Sequence, residues 1–243
     1  MHKTLYGRKK RGKSRFVVVA PHGLDDLFTS VVAEKLGELL GANIIINDAF
    51  MKPSNILAEK NMDKIQDFNK LPWNSDKNTY TYEPENSGLS CFCQDILEYT
   101  AEITKNLECS PVFLYIHGLK DRENIGLDLG IGVRLHEKNL INTREYAEIF
   151  LSSENIAPGG SVIADIRRII RLKKYWNNRL KSERGFTVGI GEIYFTGRPE
   201  QLPQLHTNLG YKAESIQIEI NRSLREDIDY TARIIYEGII LHY

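Results

Sequence analysis

Apolar and polar positions along the chain alternate between short β-branched runs and stripes at helical spacing. Phe16-Val-Val-Val-Ala20 is a brief apolar run closed by Pro21, which predicts a buried strand, central in a sheet. Between Asp25 and Leu40, Leu27, Val31, Val32, Leu36 and Leu39/Leu40 recur on one helical face, and Gly41 supplies a stop. Ala42 to Ile46 is a second apolar run. Residues 16–46 therefore read as strand, helix, strand, the βαβ pattern of a mainly parallel sheet.

Residues 47–90 break the pattern: they are polar, rich in Asn and Lys, and punctuated by Pro53, Pro72, Pro84 and Gly88. Such a stretch predicts loops with a short helix, and long insertions of this kind carry function. Beyond it the spacing predicts a helix over 91–107, a buried strand over 111–116, and helices over 144–151 and 161–180. A Gly-interrupted strand follows over 186–195. Ser215 to Ile220 alternates as a strand, and a helix over 227–241 places Ile228, Ala232, Ile235 and Ile239/Ile240 inward. No repeat or linker divides the chain. The expected fold is a single α/β domain over 16–243, with a mixed, mainly parallel central sheet flanked by helices.

Composition narrows the class. The chain has 243 residues, 42% hydrophobic and 26% charged, which excludes wholesale disorder. No apolar run approaches the ~18–20 residues needed to span a bilayer, so no membrane role is expected. Cys91, Cys93 and Cys109 make an odd count without zinc-finger spacing, which reads as ordinary thiols in a reducing, cytoplasmic setting. The 32 basic and 32 acidic residues cancel, but unevenly. Residues 1–15 hold seven basic groups and no acid, leaving a net charge of −7 on the rest. This segment is expected to be a basic leader, either solvated or an edge segment running into the first strand. A polyanion contact is the alternative, and no aromatic platform or helix-turn-helix pattern supports a nucleic-acid partner.

Candidate chemistry gathers at strand ends. His22 follows the first strand as Pro21-His22-Gly23, and His117 follows a later one as Ile116-His117-Gly118. In an open parallel sheet, ligands bind beyond the carboxyl ends of the strands, so both imidazoles can converge there. Asp25 gives His-x-x-Asp at a helix entrance, and with His117 makes three protein ligands, the usual count for a catalytic zinc. Asp26 is the adjacent alternative: one of the two acids can cap the helix while the other binds metal, and the spacing favours Asp25 as ligand. Glu219 shares a strand face with Gln217 and Asn221, and a carboxylate beside an activated water can take and return a proton. Arg222 and Arg225 offer planar forks for a substrate carboxylate.

Pro21-His22-Gly23, Tyr115-Ile116-His117-Gly118 and Gln217-Ile218-Glu219-Ile220-Asn221-Arg222, in this order, resemble the N-formylglutamate amidohydrolase family. That family is similar in fold to zinc carboxypeptidases and to the succinylglutamate desuccinylase/aspartoacylase group. Asp67-Phe68-Asn69-Lys70 looks like its Asp-hydrophobic-Asn-Arg segment, with Lys in the place of Arg. Gly126-Leu-Asp128-Leu-Gly130-Ile-Gly132 resembles a loop the family carries. The resemblance implies a metal-dependent amidohydrolase: zinc on His22, Asp25 and His117, and Glu219 as general acid/base. Asn69, Lys70, Arg134, Asn221, Arg222 and Arg225 would hold a small anionic N-acyl amino acid. A member that kept the fold and lost turnover is the competing expectation. His136 and His206 fall in predicted loops, His206 being the better placed to face the site.

Overall fold

The computed structural model describes residues 1–55, 62–74, 76–77, 79–80, 87–120, 124–135, 140–142, 147–149, 155–156 and 160–243. In chain order the strands are β1 His2–Lys3, β2 Gly7–Lys10, β3 Phe16–Ala20, β4 Asn43–Asn47, β5 Trp73–Asn74, β6 Thr79–Tyr80, β7 Val112–Leu119, β8 Ile125–Gly130, β9 Leu140–Asn142, β10 Ala147–Ile149, β11 Thr187–Ile190 and β12 Glu214–Asn221. The helices are α1 Thr29–Leu40, α2 Gly88–Leu107, α3 Ile166–Arg184, α4 Leu205–Asn208, α5 Arg222–Glu226 and α6 Ile228–His242. Eight strands form one sheet in the order β1-β2-β4-β3-β7-β12-β8-β11. β4, β3, β7 and β12 run parallel as its centre. β2 and β8 flank them antiparallel, and β11 is parallel to β8.

The central strands are buried on both faces, which is why their sequences read as continuous apolar runs. On one face Val18, Ala20, Leu114, Ile116, Ile216, Ile218 and Ile220 pack with the inner stripes of α1, α3 and α6. Trp176 of α3 is fully buried there, and its indole N–H donates to Ile234 O at 2.8 Å. On the other face Val17, Val19, Ile45, Phe113 and Tyr115 pack with Phe92, Ile96, Tyr99 and Ile103 of α2. Burial of such side chains is worth roughly 1.5–3 kcal/mol each. This helix–sheet–helix sandwich is the expected α/β domain.

Several sequence expectations change; the strand expected over 186–195 is confined to Thr187–Ile190, with Gly191 at a left-handed φ of 62°. Helix α1 starts at Thr29 rather than 25, because Asp25 and Asp26 donate their N–H groups to His22 O in a turn, and Phe28 takes a left-handed φ of 69°. α3 starts after Asp165, whose carboxylate caps Arg167 N and Arg168 N, so residues 161–165 lead into it. Within the expected helix 144–151, Ala147–Ile149 is instead a strand paired with Leu140–Asn142; the rest of that span lies outside the described residues. The Gly-rich stretch 126–130, read as a loop, is the buried strand β8, where Gly126 and Gly130 admit neighbouring side chains.

The basic run of residues 1–15 forms the antiparallel edge of the sheet. Arg8 pairs with Glu34 and Asp48, Lys9 with Asp95, Lys10 with Glu38 and Arg11 with Glu102. These contacts engage four of the segment's seven basic groups within the chain.

Candidate metal centre

The site is built where the parallel strands end. β7 is longer than the apolar run suggested: Gly118 and Leu119 continue the ladder opposite Ile220 and Asn221, so His117 lies inside the strand. Glu219 of β12 stands opposite His117 on one side and Asp128 of β8 on the other, which puts three functional groups side by side on one face. The turn after β3 brings His22 over this row. The two imidazoles meet edge to face, with centroids 4.9 Å apart.

Asp26 completes the cluster. His22 Nδ1 and His117 Nδ1 lie 3.6 and 3.8 Å from Asp26 Oδ2. These separations exceed a hydrogen bond. Ligand atoms around a tetrahedral zinc stand about 3.3–3.6 Å apart, given bonds of about 2.0–2.2 Å. His22, Asp26 and His117 offer ligand atoms all within 4.8 Å of one another, so the donor set fits a divalent ion. Gly118 N–H donates to Asp26 Oδ2 at 3.0 Å, and Lys52 Nζ to Oδ1 at 2.7 Å. His22 Nε2 meets Asp67 Oδ1 at 2.7 Å, the carboxylate support that orients a ligating imidazole.

Asp25, the expected ligand, points away. Its oxygens accept Lys52 N at 2.8 Å and Asn55 Nδ2 at 2.6 Å, which ties the turn to the chain after β4. Because α1 begins late, neither acid caps it; the extra turn swings Asp26, not Asp25, onto the strand ends.

Electrostatics follow from burial. His117 is 3% exposed, and burial together with the charge of His22 pushes its pKa down to about 3, keeping the ring neutral. Burial also opposes the His22 imidazolium, but Asp26 and Asp67 outweigh it and raise the pKa. For Asp26, burial favours the acid, yet His22, His117 and Lys52 hold it well below the usual carboxylate range. Glu219 is pushed up to about 8 by burial and then by the charge of Asp26. Gln217 Nε2 donates to Glu219 Oε1 at 2.7 Å, and Asn69 Nδ2 reaches Gln217 Oε1 at 3.5 Å. A carboxyl poised near neutrality, and held at one oxygen, can accept a proton and release it. Asp128 is fully buried and accepts the N–H groups of Glu192, Ile193 and Tyr194, which anchors the loop after β11 beside Glu219.

Of the expected substrate contacts, Asn69 and Lys70 line a cavity of about 380 Å³ with Asp67, Thr196 and Arg198. Arg222 lines another of about 470 Å³, with Asp26, Lys52 and Lys120; its guanidinium is exposed and pairs with Glu226. The other three turn to the backbone. Arg134 donates to Gly191 O and lies over the Phe195 ring. Asn221 accepts Ser223 N as the cap of α5 and donates to Ile125 O. Arg225 lines the same cavity as Arg222, but it is 5% exposed and donates to main-chain carbonyls. Sequence reasoning gave no role to Asp67, Gln217 or Lys52. Asp67 and Gln217 stood inside quoted motifs, whereas nothing near Lys52 in sequence signals it.

His136 lies outside the described residues. His206 does not face the cluster: it is 1% exposed in α4, against Phe113 and Thr100. The Thr100 hydroxyl donates to Ile96 O, so it accepts from His206 Nε2–H. Burial pushes the His206 pKa down to about 3. Between that value and an unfolded pKa of about 6.5, the unfolded chain binds a proton that the folded chain refuses. Stability is therefore expected to fall as pH drops below about 6.5, by up to about 1.4 kcal/mol per pH unit from this group. Urea midpoints at pH 6.5 and 5.0 for the wild type and His206→Gln check it; equal pH slopes would refute the assignment.

No family model matches the sequence, and no curated protein does. Among solved structures, gene product Atu2144 from Agrobacterium tumefaciens is similar at a TM-score of 0.50 and 15% identity, covering 95% of this chain and 87% of its own. The tripeptide-bound cell shape determinant Csd4 from Helicobacter pylori is similar at 0.47 and 11%, covering 96% and 54%. Succinylglutamate desuccinylase from Vibrio parahaemolyticus is similar at 0.43 and 9%, covering 95% and 68%. The likeness to Atu2144 extends to the fold. Among the described residues, no helix is long and apolar enough to cross a membrane.

Proposed function

We propose that this protein is a metal-dependent amidohydrolase that cleaves the amide of a small N-acyl acidic amino acid, with zinc held by His22, Asp26 and His117. One observation carries the reading: two imidazole Nδ1 atoms face one Asp26 oxygen at the carboxyl ends of parallel strands, with Glu219 in register beside them. Zinc supplies Lewis acidity, making a water more acidic and an amide carbonyl more electrophilic. The chain's own residues do the rest. Glu219 takes the proton of the attacking water and passes it to the departing amine, while Gln217 fixes the carboxyl orientation. Asp67 fixes the His22 ring. Lys70 and Arg198 make the cavity beside Asn69 a place for an anionic group, and Lys70, lacking a planar fork, holds it as a point charge. The free thiols of Cys91, Cys93 and Cys109 suit a reducing, cytoplasmic setting.

The test joins metal analysis to turnover. Purified protein is expected to carry about one zinc per chain and to release amine from at least one member of a panel of N-formyl, N-acetyl and N-succinyl derivatives of glutamate and aspartate. Chelation is expected to remove that activity, and added zinc to restore it. Activity that survives complete metal removal refutes the reading.

A further inference from the structure

The metal-cluster side chains and Glu219 come from three segments far apart in sequence, and one buried guanidinium touches all three. Arg225 Nε donates to Ile220 O at 3.0 Å, Nη2 to Leu119 O at 3.1 Å, and Nη1 to Leu27 O. Ile220 follows Glu219, Leu119 lies two residues beyond His117, and Leu27 follows Asp26. Each bonded carbonyl therefore sits within two residues of a group in the candidate centre. The remaining packing is equally close. A Cβ on Gly118 would lie 2.7 Å from Arg225 Nη1 and 2.9 Å from Asp26 Cβ, so glycine there lets the guanidinium and the Asp26 side chain approach the same stretch of β7.

We infer that Arg225 is a positioning residue that sets the mutual spacing of His117, Asp26 and Glu219, and thereby the affinity and geometry of the metal centre. This rests on the proposed metal reading of the cluster. The residue type fits the task. A guanidinium presents donors along several in-plane directions from a rigid frame, whereas an ammonium on a flexible stem offers a single nitrogen that cannot bridge three carbonyls on separate elements. A permanently charged group also stays a donor at any working pH. Without Arg225, Ile220 O and Leu119 O lose this buried donor. The site is thereby held by main-chain anchors within two residues of His117, Asp26 and Glu219, which fix where those side chains stand.

The experiment titrates cobalt(II) and zinc into metal-free wild type, Arg225→Lys and Gly118→Ala, reading affinity by competition with a chelating dye and geometry by the cobalt absorption spectrum. Circular dichroism confirms that each variant is folded. Arg225→Lys keeps the charge but not the fork, and Gly118→Ala keeps the arginine but pushes it from Asp26. Both are expected to bind metal about 10–100-fold more weakly, with a shifted cobalt spectrum. A merely structural arginine would lower the unfolding temperature and leave the spectrum of the folded protein unchanged. That outcome in both variants, with wild-type affinity, overturns the inference while sparing the metal centre. Should Arg225→Lys not fold, Arg225→Gln takes its place, because Gly118→Ala also presses directly on Asp26. A wild type that binds neither ion instead overturns the proposed function on which the inference stands.

Discussion

Asp26→Asn is expected to lower metal affinity by at least about 100-fold, beyond the loss from any outer-shell group, while Asp25→Asn leaves it close to wild type. The two acids are neighbours with similar exposure to sequence-level reasoning, yet their contacts differ in kind. Asp25 closes a local loop with Lys52 N and Asn55, and losing its charge there costs about 1 kcal/mol of stability through weakened hydrogen bonds. Asp26 carries the only carboxylate oxygen that faces both Nδ1 atoms among the described residues. Its Lys52 partner would face an amide in the variant, so folding is checked first by circular dichroism. Competition with a chelating dye then ranks the three proteins. Loss of metal in Asp25→Asn with retention in Asp26→Asn would place the centre elsewhere.

The same pair shows where the sequence stopped being legible. β3 and β7 were readable because strands buried on both faces need unbroken apolar runs, β12 by its alternation of Ile with polar residues, and His22, His117 and Glu219 sit at fixed positions relative to those patterns. The choice between Asp25 and Asp26 depended on the start of α1, which is set by a left-handed Phe28 and two N–H bonds to His22 O. Apolar periodicity carries no information about that turn. β8 was hidden for a related reason: its glycines, placed to admit Thr196 and Phe186 side chains, look like loop residues when the neighbours are unknown. Arg225 illustrates a third kind of loss. An arginine shortly after the Glu219 strand invites a substrate role, and only the tertiary fold shows three main-chain carbonyls around it. Lys52 meets Asp26 across 26 residues of chain, a pairing that no local pattern encodes.

Glu219→Gln is expected to lower kcat by about 10²–10⁴-fold with metal affinity retained, the range typical for removing a general acid–base. The substitution is nearly isosteric. Gln217 Nε2, which donates to Glu219 Oε1 at 2.7 Å, finds an amide oxygen in the same place, so the side chain keeps its position on β12. The fold loses little, because burial and the charge of Asp26 already disfavour a carboxylate at this position. What disappears is the group proposed to accept a proton from water and give it to the leaving nitrogen. On the proposed reading the defect appears in kcat, with substrate binding little changed, since the anionic end of the substrate would be held in the cavity lined by Asn69, Lys70 and Arg198. Steady-state kinetics on the best substrate from the panel, together with zinc content of the same preparations, makes the measurement. A variant that carries zinc and turns over at the wild-type rate removes Glu219 from the chemistry and leaves the proton transfer to another group.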